Sequence, residues 1–276
     1  MDVQAIITIA HQELTINVRN KWTLLFACVF GVLVLGISYF VLVTAGSTGF
    51  QGFTRTSASL LNLVLYVVPL VAVTMGTLSF ANEKSGGEIL FAQPVNRFEI
   101  LIGKLAGLFI SLATATLVGF GFAGLVIAAR AGNEGITRYP ALVGFSLLLA
   151  LIFLCLSALT SVLCQRKAKA FGAALFVWFF FVIFFDLIVI GVSFLVKERT
   201  ANQILFLSLF ANPVDMVRVA TLIVLDGKDV FGSAGAALLR FYGNSMGSVL
   251  VLIAGLLVWV GAPMLITSKI LNRQDI

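Results

Sequence analysis

Apolar residues run almost unbroken through six stretches of the chain, at about 23–45, 60–81, 105–129, 141–164, 171–196 and 249–268, and polar residues gather between them. A helix needs roughly 20 apolar residues to cross about 30 Å of hydrocarbon. The pattern therefore predicts an all-α integral membrane protein, a single transmembrane domain over residues 1–276 with six spans. Ahead of the first span, Val3, Ile6, Ile7, Ala10, Leu14 and Val18 share one helical arc, while Gln4, Thr8, His11, Gln12, Thr15 and Arg19 share another. That spacing predicts an N-terminal amphipathic helix lying in the membrane plane.

The loop between spans two and three, residues 82–104, carries Glu83, Lys84, Glu88, Arg97, Glu99 and Lys104 between two apolar runs. Asn96 followed by Glu99, just before Ile100, Leu101 and Ile102, reads as a capping box, with Val95 and Ile100 as its hydrophobic staple. Pro94 ends any helix before it and biases Gln93 toward an extended conformation. The loop is thus predicted as helix, turn, helix.

A second irregular region is 197–247. Its residues 201–225 are apolar enough to suggest another span, but Pro213, Asp215 and Arg218 would then lie at mid-membrane. An Asp or Arg there costs about 2.5 to 3.5 kcal/mol on insertion scales, so two shorter interfacial helices are the better reading. Asn212, Pro213 and Asp215 fit an N-cap, a first-turn proline and a first-turn acid, and Gly227 fits a stop. The segment is expected outside the bilayer, where Asn212, Pro213, Asp215 and Arg218 would meet a periplasmic partner.

Composition agrees with the bilayer: 60% hydrophobic residues, 11% charged and a mean hydropathy of +1.09 lie far from soluble usage. The net charge of +6 is spread along loops without a basic tract, which speaks for topology and against nucleic acid. Lys and Arg favour the segments 1–22, 82–104, 165–170 and 269–276 over the short loops 46–59 and 130–140. By the positive-inside rule both termini, the 82–104 loop and the QRKAKA stretch at 165–170 are expected in the cytoplasm. The first span is too long for a typical signal peptide, so it is read as uncleaved. Cys28, Cys155 and Cys164, without CxxC spacing, read as small buried hydrophobes.

Candidate chemistry is sparse. No G-x-x-x-x-G-K-[ST] occurs, so nucleotide phosphates would need another subunit. GNSMG at 243–247 matches G-x-S-x-G, but the sole histidine, His11, is expected on the opposite membrane face from Ser245. Cys28, Met75, Cys155, Cys164 and Met264 are too dispersed to write a copper path, so no metal set is assigned. Asp186, near the middle of span five, is an intramembrane acid. Such a group is by default a functional candidate, and otherwise a paired carboxyl that fixes packing. The chain reads as a non-catalytic membrane subunit, with a passive scaffold as the alternative outside transport.

The pattern E-K-x-x-G-x-E-I-L followed by P-V-x-R-x-E-I-L-x-G-K, carried by Glu83, Lys84, Gly87, Glu88, Ile89, Leu90, Pro94, Val95, Arg97, Glu99, Gly103 and Lys104, resembles that of ATP-binding-cassette permeases of the six-span exporter class. The resemblance implies that 82–104 is a cytoplasmic coupling helix on which an ATPase docks, with apolar Ile89, Leu90 and Phe91 as anchors and Glu88 and Arg97 as ion-pair contacts. It implies no cofactor on this chain, ATP and Mg on a partner ATPase present in two copies, and a second permease copy, for which spans one and five are plausible contacts. More narrowly the chain is similar to permeases serving maturation of nitrous oxide reductase. That likeness implies a bacterial inner-membrane location, a NosF-like cytoplasmic ATPase and a NosD-like periplasmic protein, all engaged in building the enzyme's copper-sulfur centre. An exporter of lipid, drug or polysaccharide is the alternative within the class.

Overall fold

The computed structural model of the protein describes residues 2–44, 50–86, 96–131, 136–164, 166–225 and 245–273. These are helical, with no strand among them. In chain order the helices are α1 (Val3–Val18), α2 (Lys21–Thr44), α3 (Phe50–Gly86), α4 (Arg97–Ala131), α5 (Tyr139–Leu163), α6 (Lys167–Phe179), α7 (Phe185–Leu195), α8 (Glu198–Ala211), α9 (Pro213–Val224) and α10 (Ser245–Arg273). Among the described residues six helices are long and apolar enough to span a membrane: α2, α3, α4, α5, the continuous pair α6 and α7, and α10.

Several helices overrun the apolar runs that announce them. α3 starts at Phe50, ahead of the expected 60, because polar side chains in its first turns find places inside the bundle. Thr56 and Ser57 are fully buried, and Ser59 Oγ donates back to the Arg55 carbonyl. α4 is 35 residues long, about 50 Å at 1.5 Å per residue. That exceeds the hydrocarbon by several turns, so one rigid rod runs from the 87–95 connection to the far side of the bundle.

Span four, α5, is the centre: 67% of its apolar window is buried, against 6% for span five. Its small residues allow close crossings. A Cβ on Gly76 of α3 would sit 1.9 Å from Ser157 Oγ of α5, so only glycine lets these two backbones approach. Without a water-driven hydrophobic force between helices in lipid, such close contact is what holds them. On the far side Phe30, Phe120 and Tyr139 stack edge to face at 5.8 and 6.0 Å, and Tyr139 Oη donates to the Phe120 carbonyl. Cys155 is buried in this core, whereas Cys28 is exposed on α2, which corrects the expectation that all three thiols are interior.

The start of α1 and the end of α10 lie at one end of the bundle. An Arg97 guanidinium nitrogen, at the start of α4, donates to the carbonyl of Leu271 near the end of α10, and α1 packs on the opening turns of α4. We call this the loop end.

Candidate functional site

At the loop end, α1 lays part of its apolar arc on α4. The match depends on two glycines. A Cβ on Gly107 would fall 2.5 Å from the Ala10 carbonyl oxygen, and one on Gly103 would fall 2.8 Å from Ile9 Cβ. Ile7, Val3 and Val18 of the same predicted arc stay exposed.

The buried stripe of α1 carries an acid. Glu13 is 8% exposed and Asn17 6%, and Glu13 Oε1 accepts from Asn17 Nδ2 at 2.9 Å and from Ser79 Oγ of α3 at 2.7 Å. Glu13 Oε2 lies 3.7 Å from Lys104 Nζ of α4. Lys104, 3% exposed, also donates to the Ser79 carbonyl at 3.3 Å and stands 5.2 Å over the Phe80 ring. One buried cluster thus ties three helices together within a few turns of the 87–95 connection.

The residues expected to dock an ATPase are placed unevenly. Glu83 and Lys84 fall in the last turns of α3, and Gly87, Glu88, Ile89, Leu90, Phe91, Pro94 and Val95 lie outside the described residues. Arg97 is half-buried and holds the end of α10. Lys104 points into the protein. The cap half of the expected box is present, Asn96 Oδ1 accepting from the Phe98 N–H at 3.2 Å. Glu99 Oε1 accepts from the Asp2 backbone N–H at 2.7 Å, so the acid of the pattern also fastens the start of α1. Glu13 and Asn17 are absent from the sequence reading, although their spacing with Ile6 and Ala10 places them on one stripe. An acid inside an apolar stripe was the available signal.

A second polar cluster lies at mid-depth. α8 and α9 break at Asn212 with a bend of 104°. The Trp259 indole N–H, halfway along α10, donates to the Phe210 carbonyl at 3.1 Å, and Met216 packs on Gly255. The pair therefore enters from the far end, turns at the level of Trp259, and returns along α10. Expected as two helices outside the bilayer, the segment instead inserts its tip between spans five and six.

Polar satisfaction makes this possible. In hydrocarbon every exposed backbone group must find a partner, and at a helix break several are left over. Asn212 Oδ1 accepts from the Val214 N–H, its Nδ2 donates to Asp215 Oδ2, and the same Nδ2 donates to the Phe181 carbonyl at 3.0 Å. That carbonyl is offered by a π-helical turn, Phe180–Phe184, within span five. Such widened turns cluster at functional sites. Arg218 Nη1 then bridges Asp215 Oδ1 at 2.9 Å and Asp186 Oδ2 at 3.3 Å.

So Asp186 is a paired acid, and the residues expected to face a periplasmic partner are turned inward. Asn212 is fully buried and Pro213 buried, and Asp215 and Arg218 serve the bridge to span five. The side chains of Asp186 and Arg218 keep about a third of their surface exposed, at a depth where lipid would not solvate them. Ser245, which opens α10, and His11 on α1 lie at opposite ends of the bundle. Among the described residues no three His, Cys, Asp or Glu side chains come together to hold a metal.

Against known proteins, residues 7–276 match the family described as ABC-2 family transporter protein. The "Probable ABC transporter permease protein NosY" of Pseudomonas aeruginosa is 34% identical over 275 residues, covering 98% of each chain. The protein of the same name from Stutzerimonas stutzeri is 34% identical over 279 residues, covering 96% of this chain and 97% of its own. With six spans gathered on one core and a match over nearly its whole length, the chain belongs to the ABC-2 family of ATP-binding-cassette transporter permeases.

Proposed function

We propose that this permease serves maturation of nitrous oxide reductase, passing the motion of a cytoplasmic ATPase across the inner membrane to a periplasmic partner during assembly of the copper-sulfur centre, with or without movement of a sulfur species. The observation that carries this reading is the 34% identity to NosY permeases over 98% of both chains. The ATPase is NosF-like and binds the ATP and Mg, and the periplasmic protein is NosD-like. Two ATPase copies imply two permease copies. The part-exposed ion pair on span five supports that span as a face turned toward the second copy, because the pair needs polar cover.

The loop end supplies a physical route. Motion imposed on residues 82–104 enters α4 at the Asn96 cap. The Glu13, Ser79 and Lys104 cluster makes α1, α3 and α4 move together, and α4 is long enough to carry displacement through the membrane. Anchoring by Leu90 and Phe91 should dominate over charge, since exposed pairs contribute only about 0 to 1 kcal/mol.

The test replaces the resident NosY gene of Stutzerimonas stutzeri with this one and follows the copper-sulfur absorption of purified nitrous oxide reductase. Restored absorption is expected. Enzyme lacking the centre, beside a permease that still co-purifies with its ATPase, would favour an exporter of lipid, drug or polysaccharide instead.

A further inference from the structure

α4 runs the length of the bundle, yet the inserted tip formed by α8 and α9 is held mainly by other helices. Among the spans, α9 packs most fully on α10, then on α5 and α3. These three differ in their freedom to move. The buried share of the apolar window is 67% for α5 and 50% for α3, but 22% for α10. Close packing resists displacement, so α10 is the neighbour of the tip that shifts at least cost.

At each end α10 meets another helix through a directed hydrogen bond. The last four carbonyls of a helix lack partners within it, and Leu271 carries one of them in α10, which ends at Arg273. The Arg97 guanidinium, from the first turn of α4, donates to it. A cation there also meets the negative end of the helix dipole, and Arg97 is half-buried, so water competes less for the bond. The same device recurs at the tip. Phe210 is among the last residues of α8, and its carbonyl accepts from the Trp259 indole N–H at 3.1 Å. Met216 of α9 packs on Gly255, one turn of α10 away, and the Phe181 ring of span five meets the Trp259 ring edge to face at 5.2 Å.

From Trp259 to Leu271 is 12 residues, about 18 Å of helix. Pro263 removes one rung of the backbone ladder between them. It is buried, so the turn at which α10 could bend is braced by packing.

We infer that Arg97 and Trp259 are positioning residues that carry motion of the loop end through α10 into the inserted tip. The inference rests on the reading that an ATPase drives residues 82–104. It gives Arg97 a task other than docking, which is to fasten the driven end of α4 to the helix that holds the tip.

The experiment is amide hydrogen exchange, read by mass spectrometry, on the full-length permease bound to its ATPase in lipid nanodiscs, with and without ATP and Mg. In the parent, exchange should change with nucleotide both in peptides covering 96–108 and in those covering 203–224, by about fivefold or more, the lower end of typical coupling between sites. In Arg97→Ala the tip peptides should lose that response while 96–108 keeps it, and Arg97→Lys, which retains a charged donor, should restore part of it. Trp259→Phe removes only the indole donor at the other end of the relay and should give the same split, so the test stands where the arginine variant fails to fold. A tip that still responds in Arg97→Ala, or in its place in Trp259→Phe, overturns the inference. So does a tip that exchanges faster in the variants but keeps its nucleotide response, which would make the two residues braces only. A parent whose 96–108 peptides respond while its tip does not overturns the inference alone; a parent in which neither responds removes the ATPase drive as well.

Discussion

The buried pair of Glu13 and Lys104 can be tested as a thermodynamic unit. At 3.7 Å and an effective dielectric of about 20, their attraction is about 4 kcal/mol, set against the cost of removing both charges from water. Breaking such a pair on one side leaves an uncompensated buried charge and typically costs 3 to 5 kcal/mol. Lys104→Met should fall at the lower end, about 3 kcal/mol, because Glu13 keeps the Ser79 and Asn17 donors. Glu13→Gln should cost a similar amount, since it removes the carboxylate that faces the Lys104 ammonium in the protein interior. The double variant removes both charges and lets the new amide keep accepting from Ser79, so it should return to within about 2 kcal/mol of the parent. Buried ion pairs are often replaceable in this way. The measurement is thermal unfolding of the purified permease in detergent, where about 2 to 4 °C accompanies each kcal/mol for chains approaching this size. Each single variant should lose roughly 10 °C and the double variant less than either. Losses that simply add would mean the two charges do not interact, and a Lys104→Met protein as stable as the parent would remove the cluster's structural role.

Other outcomes follow from the same geometry. Gly107→Val should push α1 off α4, at about 1 to 3 kcal/mol of overpacking, and expose a cysteine introduced at Asn17 to thiol reagents that leave the parent background unlabelled. Arg218→Gln should destabilise the inserted tip by about 2 kcal/mol, the scale of a hydrogen bond to a charged group, and Asp186→Asn, which still accepts from Arg218, should lose less than Asp186→Leu; equal melting of the two Asp186 variants would count against the bridge. In ATPase pull-downs Leu90→Asp or Phe91→Asp should release the ATPase more completely than Arg97→Ala, and the reverse ranking would place docking energy in charge. A cysteine at Ser85 should react with impermeant reagent only in inverted vesicles, and labelling of intact cells would turn the proposed topology over.

The number and place of the spans were legible from the sequence because hydrocarbon enforces a local rule: each crossing segment must satisfy its own backbone, so about 20 apolar residues in a row carry the signal by themselves. The Asn96 cap and the break at Asn212 and Pro213 were legible for the same reason, each being decided within one turn. Only the tertiary structure decided how deep that break sits. Insertion penalties place Asp215 and Arg218 outside the bilayer when each is weighed alone; the Phe181 carbonyl, Trp259 and Asp186, contributed by other helices, change the balance. The same holds for Glu13 and Lys104, which read as an unremarked acid and a docking cation until α1 folds back on α4. Pairing between charges far apart in the chain is a property of packing, and no local pattern of residues encodes which acid will meet which base.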